Sequence, residues 1–278
     1  MSIVLDTASS AYRGTGATSH TFSFTVGNNA NRGLALFIHC FDGDYVSGVT
    51  YAGVSMTQLN KVKRGTEANY TYMYYLVAPT TGANNFVVSL SVSARIAWAS
   101  LSIYNAVQST PTVKSTDGGN GTSSTLSNTS TVNGSWHVIG VGTNASSINS
   151  RTNYSSDSSD ASNGVSEIGH YVQTTAGALS QGASWTGTNP FGSNGFVIAP
   201  DLSDLTVSAP LLTITNTFYA PTLSFIDPVT VSAPLFTITN TFYAPSLQIG
   251  IWSNQSKNTA TWSAQTKNTA TWTNQDKT

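Results

Sequence analysis

Apolar and polar residues alternate with a period of two along most of the first two hundred positions, the pattern of strands with one buried and one wet face. In His20–Val26 the alternation places Phe22, Phe24 and Val26 on one side and Thr21, Ser23 and Thr25 on the other. Asn69–Leu76 and Asn85–Val92 alternate similarly, and further strands are predicted near 34–41, 47–59, 95–104, 135–143, 166–173 and 182–198. Turn formers lie between them, at Gly27–Asn29, Asp42–Asp44, Pro79–Gly82 and Asp117–Gly121. No segment shows a 3.6-residue period with caps at both ends. Many short strands at close spacing predict an all-β chain whose residues 1–200 form an antiparallel, jelly-roll-like β-sandwich. Residues 144–164, dense in Ser, Asn and Asp, read as a long surface loop, either functional or a solvated excursion.

The pattern changes after residue 200. Thr206–Phe225 recurs as Thr230–Ile249, a shift of 24, with differences only at Leu212/Phe236, Thr222/Ser246, Ser224/Gln248 and Phe225/Ile249. Each copy holds two Ala-Pro steps, and a proline that removes a ladder donor belongs at a strand end or edge. Residues 201–250 are therefore expected to form two 24-residue β repeats too small to close a core alone, which stack on each other or on partner chains. A decapeptide follows over 251–278, with Trp252, Trp262 and Trp272 each followed five residues later by Lys257, Lys267 and Lys277. An even period puts the three indoles on one strand face. These segments are the expected assembly anchor, with Phe218, Tyr219, Phe242, Tyr243 and the three tryptophans as its contact candidates.

Composition narrows the class. Charged residues make up 8% of the 278, against about 25% in an ordinary soluble domain, and Ser, Thr, Asn and Gly replace them. A net charge of −1 lacks the footprint of a nucleic-acid binder. The short basic run Lys61, Lys63 and Arg64 reads as a solvated strand end. No apolar run reaches the roughly 18 residues of a membrane span, and the start lacks the basic and apolar regions of a secretory signal. Such a surface without an export signal fits a protein assembled in a host cytoplasm and exposed on a particle.

Candidate chemistry is sparse. The twelve carboxylates include only Glu67 and Glu167 as glutamates, with no paired arrangement in the spacing. Asp42 and Asp44 read as turn residues, without a calcium-loop series. His20, His39, His137 and His170 lie far apart, each in a predicted strand as a hydrogen-bonded structural residue. Cys40, alone in an apolar run, reads as a buried thiol of raised pKa. No catalytic, cofactor-binding or metal-binding residue is assigned, and no cofactor is expected. Binding is the more plausible role: Tyr70, Tyr72 and Tyr74 share a strand face that is either core, the preferred reading, or an aromatic strip able to stack on sugars.

Two sets of residues resemble a known class. Val49–Gln58, Tyr74–Gly82 and Ser135–Val138 resemble a β-sandwich domain found in bacteriophage virion proteins and in some bacterial surface proteins, and the Ala209–Pro221 segment with the tryptophan decapeptides resembles C-terminal repeats of phage structural proteins. The resemblance implies a non-enzymatic virion component of fibre, spike or decoration type, attached to head, neck or tail beside other virion proteins. It carries over no catalytic residues. Incomplete repeats predict a homo-oligomer, with a trimer as the leading expectation, and the sandwich is expected to touch host surface glycans. The alternative is a bacterial surface adhesin or carbohydrate-binding module, which an export signal or wall anchor would favour.

Overall fold

The apolar run at Leu34 becomes β2 (Gly33–Cys40), and all eight of its residues are buried. A strand hides both faces only in the middle of a sheet that is itself covered twice. The computed structural model, which describes residues 2–202 together with the backbone at 223–224 and 247–248, shows how this is achieved. The chain divides into two units, Met1–Leu205 and Thr206–Thr278.

The first unit contains two antiparallel sheets. One is built from β1 (Val4–Val26), β2, β3 (Val46–Tyr51), β4 (Val54–Ser55), β5 (Thr57–Lys63), β6 (Tyr70–Val77) and β7 (Gly82–Tyr104), in the order β4-β3-β7-β2-β6-β5 with β1 also on β7. The other is built from β8 (Lys114–Ser130), β9 (Ser135–Thr143), β10 (Ser150–Thr152), β11 (Ser155–Asp160), β12 (Val165–Gln173) and β13 (Gly177–Ile198), in the order β10-β13-β9-β12-β11 with β8 also on β13. The fold is all-β and sandwich-like. In the second unit, β14 (Leu223–Ser224) and β15 (Leu247–Gln248) pair in parallel, Leu223 opposite Leu247.

Alternate side chains of the central strands feed different cores. Leu34, Leu36, Ile38 and Cys40 of β2 enter a cluster with Phe22, Phe86 and Trp98, whereas Ala35 and Phe37 enter a second cluster with Leu101, Val138 and Phe196. The second cluster lies between the sheets. A third, with Leu126, Ile139, Val141, Trp185 and Phe191, fills the outer side of the second sheet. Long strands make the outer cores possible. β7 pairs with β3 near its start and with β2 near its end, so it turns from one partner to the other and encloses the first cluster.

Three expectations are corrected. Asp117–Gly121 is no turn but part of β8, where Gly118 lets the backbone approach β5: a Cβ there would lie 2.4 Å from the carbonyl oxygen of Lys63. The expected loop 144–164 contains two short strands, β10 and β11, because β13 and β12 offer open edges for them. β1 also begins sixteen residues ahead of the predicted His20, pairing along nearly all of β7. The tail contacts Phe218, Tyr219, Phe242, Tyr243, Trp252, Trp262 and Trp272 lie outside the described residues.

Candidate functional site

The tyrosine face of β6 points inward. Tyr72 and Tyr74 are 0% and 3% exposed within the first core, and Tyr70 is half-buried beside them. The Tyr72 hydroxyl donates to Asp44 Oδ1 (2.6 Å) and the Tyr74 hydroxyl donates to Gln58 Oε1 (3.0 Å). Their rings are covered, so this face makes core and not an exposed strip for sugars. Asp44 is held at the surface by Lys61 at 2.7 Å, and Asp42 by Arg95 at 2.9 Å, as turn residues. Among the described residues no His, Cys, Asp and Glu cluster could hold a metal ion.

Arg64 departs from its expected place. Its side chain is wholly buried, and its Nη2 donates to Asn144 Oδ1 (2.9 Å) and to the Pro190 carbonyl (3.1 Å). Glu67 lies 3.8 Å away, and Nη1 donates to His39 Nε2. Burial lowers the guanidinium pKa to about 10, with Glu67 opposing the shift. Burial first, then the positive charges of Arg64 and Arg95, holds His39 well below the usual imidazole range. A neutral ring accepts at Nε2 and can donate at Nδ1 toward Ser166 Oγ, 3.4 Å away. This cluster ties the sheets together from within.

The other histidines are structural too. His20 Nε2 lies 2.8 Å from the Ala94 carbonyl, and His170 stacks on Trp136 at 3.6 Å while its Nδ1 meets Asp157 Oδ2 at 2.7 Å. His137 is fully buried, and that burial lowers its pKa while Gln173 opposes the shift. The Cys40 thiol is buried and pushed up to about 12, chiefly by desolvation. Glu167, which the sequence left unassigned, is fully buried and clamped by Arg151.

A small cleft lies on the outer face of β8, β10 and β13. It has a volume of about 130 Å³, and hydroxyls of Ser123, Thr125, Ser150, Thr152, Ser180 and Ser184 surround Gly182. Strand alternation explains the set: Ser123 and Thr125 of β8, Ser150 and Thr152 of β10, and Ser180, Gly182 and Ser184 of β13 are every second residue of their strands. Gly182 is required because a Cβ would lie 2.6 Å from the Ser124 carbonyl oxygen. Ser150 and Ser184 Oγ are 2.6 Å apart and cross-link β10 to β13. No lining residue is charged. The cleft can exchange hydrogen bonds with a neutral polyhydroxylated group, and it offers neither an ionic partner nor an aromatic platform. Its sequence signal was Ser or Thr two residues apart at 123 and 125 and at 150 and 152, with Ser180 and Ser184 flanking Gly182, which composition alone disguises.

No family model matches the chain, and no curated protein or solved structure matches it either. Among the described residues no helix is long and apolar enough to cross a membrane.

Proposed function

We propose that the chain is a non-enzymatic structural protein of a bacteriophage particle, a fibre or decoration protein on head, neck or tail. In this reading the C-terminal repeats join other virion proteins or copies of the chain, and the sandwich faces solvent and touches host surface glycans. The observation that carries the glycan contact is the neutral, hydroxyl-lined cleft around Gly182. What supports attachment is the 24-residue and ten-residue repetition of the tail.

The cleft is far below the roughly 300–1,000 Å³ of pockets that enclose drug-sized ligands, so each contact is weak. Weak contacts suffice on a particle, where many copies convert millimolar affinity into firm attachment. The test has two arms. Light scattering gives the mass of the full-length protein beside that of residues 1–205: an oligomer that becomes monomeric on truncation supports assembly through the repeats, and an oligomer unchanged by truncation overturns it. NMR titration with neutral hexoses should shift amides of β10 and of 180–184. The absence of any shift at about 50 mM, above the range in which avidity rescues binding, overturns the glycan contact.

A further inference from the structure

We propose that the sandwich is two copies of one six-stranded unit, residues 4–104 and 114–198, packed face to face about a pseudo-two-fold axis. The seam between the sheets is then a homodimer-type interface carried within a single chain. The inference is independent of the proposed function.

The pairing diagrams coincide. In the first sheet β7 pairs with β1, β3 and β2, β2 pairs with β6, and β6 pairs with β5. In the second, β13 pairs with β8, β10 and β9, β9 pairs with β12, and β12 pairs with β11. Chain order is preserved throughout, and only β4 has no equivalent.

Register coincides as well, including its faults. Gly82 faces Val26 and Gly177 faces Ser130; seven residues along, Ser89 faces Ser19 and Ser184 faces Ser123. Both long strands then skip the same number of residues, resuming at Ala94 opposite Ala17 and at Asn189 opposite Gly121. β5 slips between Gln58 and Asn60 against Tyr74 and Met73, and β11 slips between Ser156 and Ser158 against Gly169 and Ile168. Gly48 faces Ser89 as Ser150 faces Ser184. From β6 through β7 the equivalence to β12 and β13 is a constant 95, since 165 − 70 and 198 − 103 both give 95. Bulges are specific features of a strand pair, and a shared sandwich architecture alone does not dictate where they fall. The departures lie in the first copy: an extra shift between Arg13 and Ala17 in β1, and shifts at Leu5/Thr7 and Val46/Gly48 that fall beyond the paired lengths of β8 and β10.

The seam has the reciprocity of an isologous interface, in which the same patch serves both sides. Met73 and Ile168, Leu101 and Phe196, and Ile103 and Ile198 are equivalent pairs, and all six belong to the shared core. Phe37 and Gly140 are also equivalent, through their partners Met73 and Ile168, and they face each other: a Cβ on Gly140 would lie 2.3 Å from the Phe37 ring. A residue that meets its own equivalent lies on the axis. At the edges Asn60 Nδ2 donates to the Ser115 carbonyl (3.0 Å), and its equivalent Ser158 donates through Oγ to Ser10 Oγ (2.8 Å). The copies diverge in their outer cores, where Val49, Met56, Tyr72 and Phe86 of the first correspond to Arg151, Tyr154, Glu167 and Gln181 of the second.

Interchangeable halves make their order in the chain immaterial. Ser2 and Asp201 both meet Asn105, whose Nδ2 donates to the Ser2 carbonyl (3.1 Å) and whose carbonyl accepts from Asp201 N (2.8 Å). The test is a full-length permutant running 110–202, a short Gly/Ser linker, 2–109, then 203–278. It should melt within about 4 °C of the parent and keep slow amide exchange in β2 and β9. A permutant without that protection overturns the proposal. A second measurement inverts the pair on the axis, Phe37→Gly with Gly140→Phe. The double variant should melt above either single variant, and a double variant at or below the weaker single overturns the two-fold relation.

Discussion

Arg151 closes on the fully buried carboxylate of Glu167 with two hydrogen bonds, Nε to Oε1 at 2.8 Å and Nη2 to Oε2 at 2.5 Å. Arg151 lies on β10, a three-residue edge strand, so one short element carries the neutralising charge for an acid in the interior. Removing one partner of a buried pair leaves an uncompensated charge and costs about 3–5 kcal/mol, and the partial exposure of Arg151 argues for the lower end. Arg151→Ala is expected to lower the melting temperature by roughly 6–12 °C in a domain of this size. Arg151→Val combined with Glu167→Leu should recover most of that loss, because apolar replacement of both partners is often neutral. Calorimetry on the three proteins decides it, and a double variant no better than Arg151→Ala would show that the site needs its charges.

Acid should weaken the seam between the sheets through His39. Its folded pKa lies below the unfolded value of about 6.5, so the unfolded chain binds the extra proton first. The stability associated with the neutral ring is complete above pH 6.5 and declines as pH falls toward the folded pKa, by at most ~1.4 kcal/mol per pH unit. His137, lowered by burial, adds a term of the same sign. Urea denaturation at pH 7, 6 and 5 should show falling stability, and His39→Gln should flatten the slope. An unchanged slope would remove His39 as its source.

What could be read from the sequence depended on which residue types occupied inward positions. β2, β6 and the second half of β7 were legible because their buried sites hold Leu, Ile, Phe, Tyr and Trp. β8 was not. Its inward positions are Ser124, Leu126, Asn128 and Ser130, so the period of two is present in burial but nearly absent in hydrophobicity. Its Asp117–Gly121 segment has the composition of a turn, yet the glycines serve close strand approach. The same polar drift hid the duplication, since Phe86 and Gln181 are equivalent positions with no chemical likeness. Burial of Arg64 was illegible for another reason: its partners His39, Asn144 and Pro190 are distant in sequence and meet only when the sheets pack. The cleft likewise depends on three strands whose pairing no local pattern announces.

Cys40 should resist chemistry in the folded protein. With its pKa near 12, the thiolate fraction at pH 8 is lower than that of a free thiol by roughly three orders of magnitude. Burial of the sulfur reduces access further. Iodoacetamide is expected to leave the native protein unmodified over hours at pH 8 and to alkylate it promptly in denaturant, as followed by intact mass. Rapid native labelling would mean that β2 opens frequently.

Gly118 and Gly48 provide a contrast between two strand glycines. A Cβ at Gly118 would meet the Lys63 carbonyl oxygen at 2.4 Å, a backbone atom that cannot swing aside, whereas a Cβ at Gly48 meets nothing within 4 Å. Gly118→Ala must push β5 away from β8, straining the Asn60–Ser115 bond and the 2.9 Å bond from Lys114 Nζ to the Leu59 carbonyl. Overpacking of this kind costs about 1–3 kcal/mol. Gly48→Ala should be neutral or slightly stabilising, since alanine narrows the unfolded ensemble. Thermal melts separate the two, and hydrogen exchange should quicken in β5 and at the start of β8 for Gly118→Ala alone. Equal melting temperatures for both variants would mean that β5 and β8 do not approach as closely as their backbones indicate.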